Sequence, residues 1–241
     1  MLTDNFLRSR RRRDLSDAEK AVLESAIERV ETLPARRTTH ERGDEVRYST
    51  LLVSGYMCRY MDARDGYRQL VCYHIPGDFL DLHGYTLQRL DHDLATITEA
   101  RVAYVPHAKI TEITETIPHL GRMLWFSTLL DAALHREWIF RIGRLDAQGR
   151  IAHFLCETHA RMDAVGLADG GSFALPLTQQ DLGEACGLTS VHVNRTLRRL
   201  RDAGLATVHD KRAVIHDRAA LASLGEFHAD YLYLDDHCHT P

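Results

Sequence analysis

The sequence predicts an α+β protein in which a β-rich first half is joined by one long helix to a smaller helical domain. Short β-prone runs separated by glycine-containing turns occupy residues 35–106, which indicates an antiparallel barrel or roll. A helical run without proline follows at 119–144, and two short capped helices lie within 177–204. The expected parts of the chain are 1–118, 119–145 and 146–241.

The composition is that of an ordinary globular protein. Of the 241 residues, 44% are hydrophobic and 27% are charged, which excludes a wholly disordered or low-complexity chain. The net charge of −4 argues against a globally basic nucleic-acid coat but leaves room for a local basic face. We expect no membrane span and no secretion signal, because no apolar stretch reaches ~18 residues. Five scattered cysteines without a CxxC pair indicate reduced thiols in the cytoplasm.

The β-rich half follows a predicted helix at 16–32, in which Ser16 can cap the first turn and Glu19 stands three residues later. The strands that follow are short and end at turn residues, as in a small antiparallel roll. The predicted strands are Glu45–Tyr48, Thr50–Val53, Tyr56–Met61, Arg68–Ile75, Leu94–Thr98 and Arg101–Val105. The arginine run Arg10–Arg13 is interpreted as a solvated tail rather than as a DNA-binding arm.

The run at 119–144 predicts a helix of at least six turns, longer than the average of ~11–12 residues. One i,i+4 ridge of this helix contains Phe126, Leu130, Leu134 and Trp138. Further apolar residues lie on other sides, so the helix must be covered on more than one side. One side can pack on the β-roll, and the same helix of a second subunit can cover the other. We therefore expect a dimerisation helix; a single buried core helix is the alternative. Shorter helices are expected at His107–Glu115 and 146–160.

The strongest signal is the segment LTQQDLGEACGLTSVHVNRTLRRLRDAG at 177–204. Thr178 and Asp181 form a capping box at the start of its first helix, and Gly187 supplies the left-handed residue that ends that helix. The buried stripe of the second helix is predicted to contain Val193, Leu197 and Leu200. Two short helices joined through glycine form a helix-turn-helix, whose second helix enters the major groove of DNA.

The second helix is cationic on the side opposite its buried stripe. Between Thr189 and Arg201 there are four arginines and no acidic residue, in a chain that is acidic overall. Arg195 has the fork geometry that holds O6 and N7 of guanine, and Asn194 suits adenine or a phosphate. Phosphate contacts are expected from Arg198, Arg199 and Arg201. A β-hairpin wing is predicted at 205–216. The candidate DNA-binding residues are Thr178, Gln179, Ser190, Val191, His192, Asn194, Arg195, Arg198, Arg199, Arg201, Lys211 and Arg212.

Together these features resemble the Crp/Fnr family of bacterial transcription regulators. The β-rich part has the spaced glycines of a cyclic-nucleotide-binding-like β-roll, with Gly55 in LLVSGYM and Pro76–Phe79 in IPGDFL. Residues 146–152 are similar to the family's hinge, and 177–216 to its winged helix-turn-helix. The resemblance covers roughly residues 20–220 and implies a dimeric, sequence-specific regulator that is not an enzyme. The expected partners are double-stranded DNA with a two-fold-related operator, a second copy of the chain, and RNA polymerase.

The resemblance also implies how the recognition helix reads DNA. Arg195 matches the guanine-reading arginine of the family. Ser190 and Val191 stand where family members often carry a glutamate that reads cytosine. Val191 can contact a thymine methyl group instead. We therefore expect a half-site sequence that differs from the usual one.

The ligand positions that the resemblance transfers onto the β-roll are altered. Cyclic-nucleotide-binding members carry a Gly-Glu pair after the PGDF-like turn and, further on, an arginine for the phosphate. The matching positions here are Asp81, Leu82 and, for the arginine, Asp93 or its neighbour. A carboxylate repels a phosphate, so we expect no binding of cAMP or cGMP. The oxygen-sensing branch binds an iron–sulfur cluster through N-terminal cysteines. No cysteine precedes Cys58, so we expect no such cluster.

The signal that the β-roll senses is left open. Of the 15 histidines, some fall in the roll and some at the C-terminus, namely His74, His83, His92, His237 and His239, the last two beside Cys238. No HExxH or paired-cysteine spacing selects any of them, and no HxH occurs among the histidines of the roll, so we assign no metal ligand and no cofactor. Haem, a metal, or redox control through Cys58 and Cys72 is the alternative. A cupin-like metalloenzyme is disfavoured, because the three histidines of the roll are nine residues apart.

Overall fold

The computed structural model describes residues 1–235 and divides the chain into two compact units. The first unit contains Met1–Met61 and Cys72–Ala132; the second contains Asp62–Val71 and the chain from Ala133 onward. The C-terminal residues singled out above, His237, Cys238 and His239, lie outside the described residues.

Both units mix strands and helices, which confirms the predicted α+β class. The strands are β1 (Arg29–Leu33), β2 (Thr38–His40), β3 (Tyr48–Ser54), β4 (Met57–Asp62), β5 (Arg68–His74), β6 (Asp93–Thr96), β7 (Ala100–Pro106), β8 (Ala168–Asp169), β9 (Ser172–Ala174), β10 (Ala206–His209) and β11 (Arg212–Ile215). The α-helices are α1 (Asp17–Ser25), α2 (Gly84–Leu87), α3 (His107–Thr116), α4 (Pro118–Arg144), α5 (Ala147–Ala164), α6 (Gln179–Cys186), α7 (Ser190–Asp202) and α8 (Arg218–Leu224). Short 3₁₀ helices lie at Arg12–Asp14 and Ala229–Leu232.

The first unit is an antiparallel roll with a three-stranded sheet, β1-β7-β3, and a four-stranded sheet, β2-β6-β4-β5. The three-stranded sheet is covered on both faces, because consecutive strand residues point to opposite sides. Leu52 of β3 packs in a core shared with Met57 of β4 and Leu94 of β6. Its neighbour Leu51 packs in a second core, together with Leu23 of α1 and Ile110 of α3. The roll is therefore held between its two sheets and by helices on one outer face.

The N-terminal segment packs into this second core, so the expectation of a solvated tail is wrong for the segment as a whole, although Arg11 and Arg13 are exposed. Phe6 is 1% exposed and meets Phe79 edge-on, with ring centroids 5.4 Å apart. Arg10 is buried, and Arg12 donates hydrogen bonds to the carbonyl oxygen of Thr3 at 2.6 Å and to that of Phe6 at 3.2 Å. The guanidinium group of Arg12 therefore ties together the turns that precede α1. Apolar residues among the arginines bury a segment that its charge alone suggested was solvated.

The predicted helix over 16–32 is confirmed at its start and wrong at its end. Ser16 and Glu19 form the capping box, but α1 ends at Ser25. The following residues form β1, in which Val30 pairs with Ala103 of β7. The β-branched residues Val30 and Thr32 favour a strand, and pairing with β7 satisfies their backbone groups. The predicted strand at Glu45–Tyr48 is also wrong, because β3 begins only at Tyr48.

The predicted long helix is confirmed as α4, which has 27 residues. One side of α4 is buried through Leu130, Leu134 and Trp138. Another side exposes Trp125 (64%), Leu129 (51%), Ile139 (73%) and Phe140 (37%). At 100° per residue these four side chains fall within about 100° of one another, so they form one apolar stripe along the helix. No helix within residues 1–235 is long and apolar enough to cross a membrane.

The second unit is built around α5, whose residues are buried along most of its length. Glu157 of α5 is 0% exposed and accepts hydrogen bonds from Trp138 Nε1 at 3.0 Å and from the hydroxyl of Tyr231 at 2.9 Å. The guanidinium group of Arg161 lies 3.7 Å from the same carboxylate. A four-stranded sheet, β10-β11-β9-β8, completes the unit. Its strands β8 and β9 were not predicted, because each has three residues or fewer.

Candidate nucleic-acid interface

Local sequence signals fix the two helices of the predicted helix-turn-helix. Thr178 Oγ1 accepts a hydrogen bond from the amide of Asp181, and the amide of Thr178 donates to Asp181 Oδ2 at 2.7 Å, so the predicted capping box is present. Helix α6 ends at Gly187, which has a φ of 63° and occupies the left-handed region. Thr189 caps α7 and accepts a hydrogen bond from the amide of His192. Only three residues therefore connect α6 to α7.

A second glycine sets how closely the turn approaches α6. A Cβ atom added to Gly183 would lie 2.4 Å from the carbonyl oxygen of Leu188. The amide of Leu188 donates to the carbonyl of Gly183 at 2.9 Å, so the turn is held against the helix at this point. Backbone atoms leave no room for any larger side chain. The sequence alone does not mark Gly183 as special, because a glycine inside a helix gives no sign of what packs on it.

Helix α7 is buried along one face. Val193 is 0% exposed, Thr196 is 3% and Leu200 is 1%, while Leu197 is only half-buried. The predicted stripe is thus confirmed at two positions and corrected at the third, where Thr196 takes the fully buried place. This face packs on α5, α6 and β10. The helix is therefore fixed in rotation about its axis.

The opposite face of α7 consists of exposed polar and cationic side chains. The predicted DNA-binding residues of α7, all of them exposed, are Ser190, Val191, His192, Asn194, Arg195, Arg198, Arg199 and Arg201. Arg201 lies 3.4 Å from the carboxylate of Asp202. In residues 1–235, Arg195, Arg198 and Arg199 form no salt bridge within 4.0 Å. A concentrated positive charge without internal partners is suited to a polyanion.

The exposed residues of α6 continue the same surface. Thr178 and Gln179, the predicted contacts on this helix, are both exposed at its N-terminus. Asn194 Nδ2 donates a 3.4 Å hydrogen bond to Gln179 Oε1, which joins the exposed faces of the two helices. The free amide groups of the first turn of a helix attract phosphate. The predicted residues of α6 and α7 are thus brought together on one surface of the second unit.

The predicted wing is confirmed as the hairpin β10–β11. Asp210 and Lys211 at its tip have φ angles of 49° and 59°, the combination of a type I′ turn. Lys211 and Arg212 are exposed, as predicted. Arg212 donates a 2.7 Å hydrogen bond to the hydroxyl of Ser172, which holds it beside β9. Asp210 adds a negative charge to the same turn and lies 2.8 Å from His209.

A buried arginine of α4 binds the C-terminal end of the first helix of the helix-turn-helix. Arg141 of α4 is 0% exposed and donates a 2.8 Å hydrogen bond to the carbonyl of Ala185 in α6. Its guanidinium group lies 4.2 Å from the ring centroid of Trp138 and 5.3 Å from that of Phe154. The carbonyl of Ala185 belongs to the last turn of α6, where a cation is favourable. Arg141 therefore joins α4, α5 and α6 at the base of the candidate interface.

In the first unit, the positions that match a cyclic-nucleotide site make other contacts. Asp81 is 0% exposed and accepts hydrogen bonds from the amide of Thr50 at 2.5 Å and from its hydroxyl at 2.8 Å. Burial raises the pKa of Asp81. Asp93 accepts a 2.9 Å hydrogen bond from the amide of Arg42. The buried Arg59 donates to the carbonyl of Leu80 and to Asp131, both at 2.6 Å.

The cysteines of residues 1–235 are all buried. They are Cys58, Cys72, Cys156 and Cys186. Burial raises the pKa of the Cys156 thiol to about 12 and that of Cys186 to about 11. A thiol reacts as its thiolate, so these two cysteines are poor nucleophiles at neutral pH.

Comparison with known proteins places these features in one family. A family model of the Crp-like helix-turn-helix domain matches residues 149–224. The transcriptional activator protein FnrL of Cereibacter sphaeroides is 29% identical over 204 residues, which are 83% of this chain and 81% of that protein. The anaerobic regulatory protein of Haemophilus influenzae is 24% identical, over 87% of this chain and 81% of that protein.

Solved structures agree with these relatives. FixK2 from Bradyrhizobium japonicum has a TM-score of 0.73 and 25% identity, and the match covers 81% of this chain and 96% of that one. A CooA variant from Carboxydothermus hydrogenoformans, with a TM-score of 0.69 and 18% identity, covers 93% of this chain and 98% of that one and shares the fold. The fold and the exposed α7 surface thus define a transcription regulator with a DNA-binding helix-turn-helix. Residues 149–224 match the Crp-like helix-turn-helix family, and the chain as a whole is similar to transcription regulators of the Crp/Fnr type.

The contact between Gly183 and the turn yields a stability prediction. Gly183→Ala places a methyl group against the Leu188 carbonyl and should lower the free energy of unfolding by about 1–3 kcal/mol. Gly143→Ala is the control, because a Cβ there meets nothing within 4 Å and alanine is the better helix former. Chemical denaturation followed by circular dichroism measures both. Equal stability of the two variants would show that the turn does not press on α6.

Proposed function

We propose that the protein is a homodimeric, sequence-specific DNA-binding regulator whose α7 enters the major groove. The observation that carries this proposal is the division of α7 into a buried apolar face and an exposed cationic face. The burial of Val193, Thr196 and Leu200 directs Asn194 and Arg195 outward. A helix held in this way on a helix-turn-helix presents its N-terminal half to base edges. The relatives that it matches are named as transcription regulators, which supports a role without enzymatic activity.

Each cationic side chain is assigned a role by its place on the surface. Arg195 lies in the first half of α7, where bidentate contact with guanine is in reach. Val191 is 68% exposed one turn earlier and suits the methyl group of thymine. We assign the contacts to phosphate to Thr178, Gln179, Arg198, Arg199, Arg201, Lys211 and Arg212. Ser190 and His192 are assigned to the edge of the surface that contacts the bases. Phosphate contacts supply affinity, and base contacts supply sequence preference.

The homodimer is inferred from the apolar stripe on α4. Trp125, Leu129 and Ile139 are each more than half exposed, and Phe140 extends the same stripe. Burial of apolar area releases roughly 25 cal/mol per Å², so a stripe of this kind favours a partner surface. A second α4 supplies a self-complementary surface under two-fold symmetry. Two recognition helices about 34 Å apart would then read a two-fold-related operator.

The remaining assignments follow from the same proposal. A regulator of transcription acts in the cytoplasm of a bacterium, where its DNA lies, and we assign RNA polymerase as a further partner because one relative is named a transcriptional activator. The raised pKa values of Cys156 and Cys186 speak against redox control by these two thiols. Nothing in this proposal requires an iron–sulfur cluster.

The division of roles along α7 predicts different defects for two arginines. Arg195→Ala should cost about 1–3 kcal/mol of specific binding and relax one operator position. Arg199→Ala should weaken binding to all sequences alike and reduce the salt slope by about 1. Gel-shift titrations over a range of salt concentrations, with operator and point-mutated operator DNA, measure both effects. If the two variants behave alike, the proposed division is wrong.

The stripe on α4 predicts a change of oligomeric state. Leu129→Glu should place a charge in the dimer interface and shift the protein towards monomer at micromolar concentration. Leu87→Glu is the matched control, because Leu87 is 59% exposed but lies on α2, outside the stripe. Light scattering coupled to size-exclusion chromatography reads the mass. A monomeric unmodified protein, or a Leu129→Glu variant as dimeric as the Leu87→Glu control, would contradict the dimer.

The altered β-roll predicts that cyclic nucleotides do not bind. The buried carboxylate of Asp81 accepts hydrogen bonds from Thr50. Asp93 provides a negative charge where the family places its phosphate-binding arginine. Isothermal calorimetry with cAMP and with cGMP should show no binding heat. The same preparation must shift DNA in a gel, which proves that it is folded. A micromolar isotherm would overturn the prediction.

A further inference from the structure

A group of potential metal ligands lies in the first unit. His83 directly precedes α2, and His92 directly precedes β6, with Asp91 beside it. One ligand atom from each of these three residues lies within 4.8 Å of the other two. The two imidazole centroids are 5.2 Å apart. The segment between the histidines folds back on itself, helped by Gln88 in the left-handed region with a φ of 61°.

Each of the two histidines has a buried ring nitrogen that lacks a hydrogen-bond partner. Nε2 of His83 and Nε2 of His92 are both inaccessible to solvent and make no hydrogen bond within residues 1–235. His92 is 5% exposed as a whole residue. An unpaired buried polar atom costs about 1–3 kcal/mol, so a pair of them at one place requires an explanation. A bound cation would accept both lone pairs.

A hydrogen bond holds one ring nitrogen of His92 and leaves the other available to an ion. His92 Nδ1 lies 2.8 Å from Asp91 Oδ1. An ionised carboxylate only accepts, so we assign the proton of His92 to Nδ1, which leaves the Nε2 lone pair available. A carboxylate that orients a histidine in this way is a common feature of metal sites.

The surrounding charges allow a cation. Arg59 is the positive group that acts on both histidines, but it is paired with Asp131 at 2.6 Å. Asp91 adds a negative charge and is 78% exposed at its side chain, so an ion has access from solvent on that side. Four-coordinate Zn²⁺ has bonds of about 2.0–2.2 Å to nitrogen and oxygen, which places its ligands about 3.4 Å apart. Side-chain shifts of about 1 Å would close the observed group around the ion.

We propose that His83 and His92 bind a divalent transition-metal ion, with Zn²⁺ as the best-matched ion and Asp91 as the carboxylate that orients the ring of His92. Imidazole nitrogen is a ligand that Zn²⁺ prefers, and the remaining positions are left to water or a small ligand. The bound ion would link the two ends of the 83–92 segment. This site revises the expectation from the sequence that the roll has no metal ligands, which rested on the lack of a recognised metal-binding spacing among its histidines.

The test uses the untagged full-length protein after removal of metals by a chelator. Co²⁺ is the spectroscopic probe, and Zn²⁺ is the competitor. We expect one Co²⁺ per chain with the visible absorption of a four-coordinate ion, and its displacement by one equivalent of Zn²⁺. His83→Gln and His92→Gln should each weaken Zn²⁺ binding roughly tenfold or more. Asp91→Asn should also weaken it, and this exposed position does not threaten the fold.

Two controls distinguish this site from other histidines. His74→Gln removes a buried histidine of the same unit that lies outside the group and should bind Zn²⁺ like the unmodified protein. The double variant His237→Ala/His239→Ala removes C-terminal histidines and should also bind normally. No Co²⁺ binding, or normal Zn²⁺ binding by Asp91→Asn and the folded histidine variants, would overturn the proposal, as would loss of binding in either control. Tighter binding of Ni²⁺ or Fe²⁺ than of Zn²⁺ would overturn the choice of ion. The test uses no DNA, so its failure leaves the proposed regulator function intact.

Discussion

The burial of one face of α7 is the constraint on which the functional interpretation depends. Val193, Thr196 and Leu200 are fixed against the neighbouring elements, and this fixes which side chains face outward. The arginines by themselves would describe only a positively charged helix. Their position becomes informative because the apolar face, the tight turn at Gly183 and the cap at Thr189 leave α7 a single orientation. Affinity for DNA and preference for sequence then follow from where each cation lies on the exposed arc.

Local signals in the sequence were sufficient for the parts of the molecule that short-range chemistry determines. The capping box at Thr178, the glycine at 187 and the two-sided apolar pattern of α4 each depend on residues within a turn or two, and each prediction was confirmed. The same holds for the wing, where two positive φ angles follow from a tight hairpin.

Other features depend on contacts that are distant in sequence and could not be predicted. The strand β1 forms because β7 lies beside it, and it overrides a helical pattern. The N-terminal segment is buried because Phe6 finds Phe79. Thr196 takes a buried place that a count of apolar residues assigns to Leu197. The approach of His83 to His92 is of the same kind: a spacing of nine residues has no meaning until the chain between them reverses direction.

The two units use their charged side chains in different ways. In the first unit, the buried carboxylate of Asp81 and the ion pair of Arg59 with Asp131 use polar groups for internal structure. These internal roles agree with the proposal that the roll does not bind a cyclic nucleotide. In the second unit, Arg141 and Glu157 use buried charge to hold helices together, whereas Arg195, Arg198 and Arg199 of α7 form no ion pair within residues 1–235. The buried charged side chains thus stabilise the fold, and the exposed arginines of α7 are the ones proposed to bind DNA.

Selection of bound sequences from random double-stranded DNA by the purified protein tests the central claim most directly. If α7 is a recognition helix carried by a symmetric dimer, the enriched sequences should contain two related half-sites in inverted orientation, centred about 10 base pairs apart or a multiple of that spacing. Enrichment of a guanine at one position of each half-site would agree with an arginine that reads base edges. A bound pool no different from the starting pool would contradict the account.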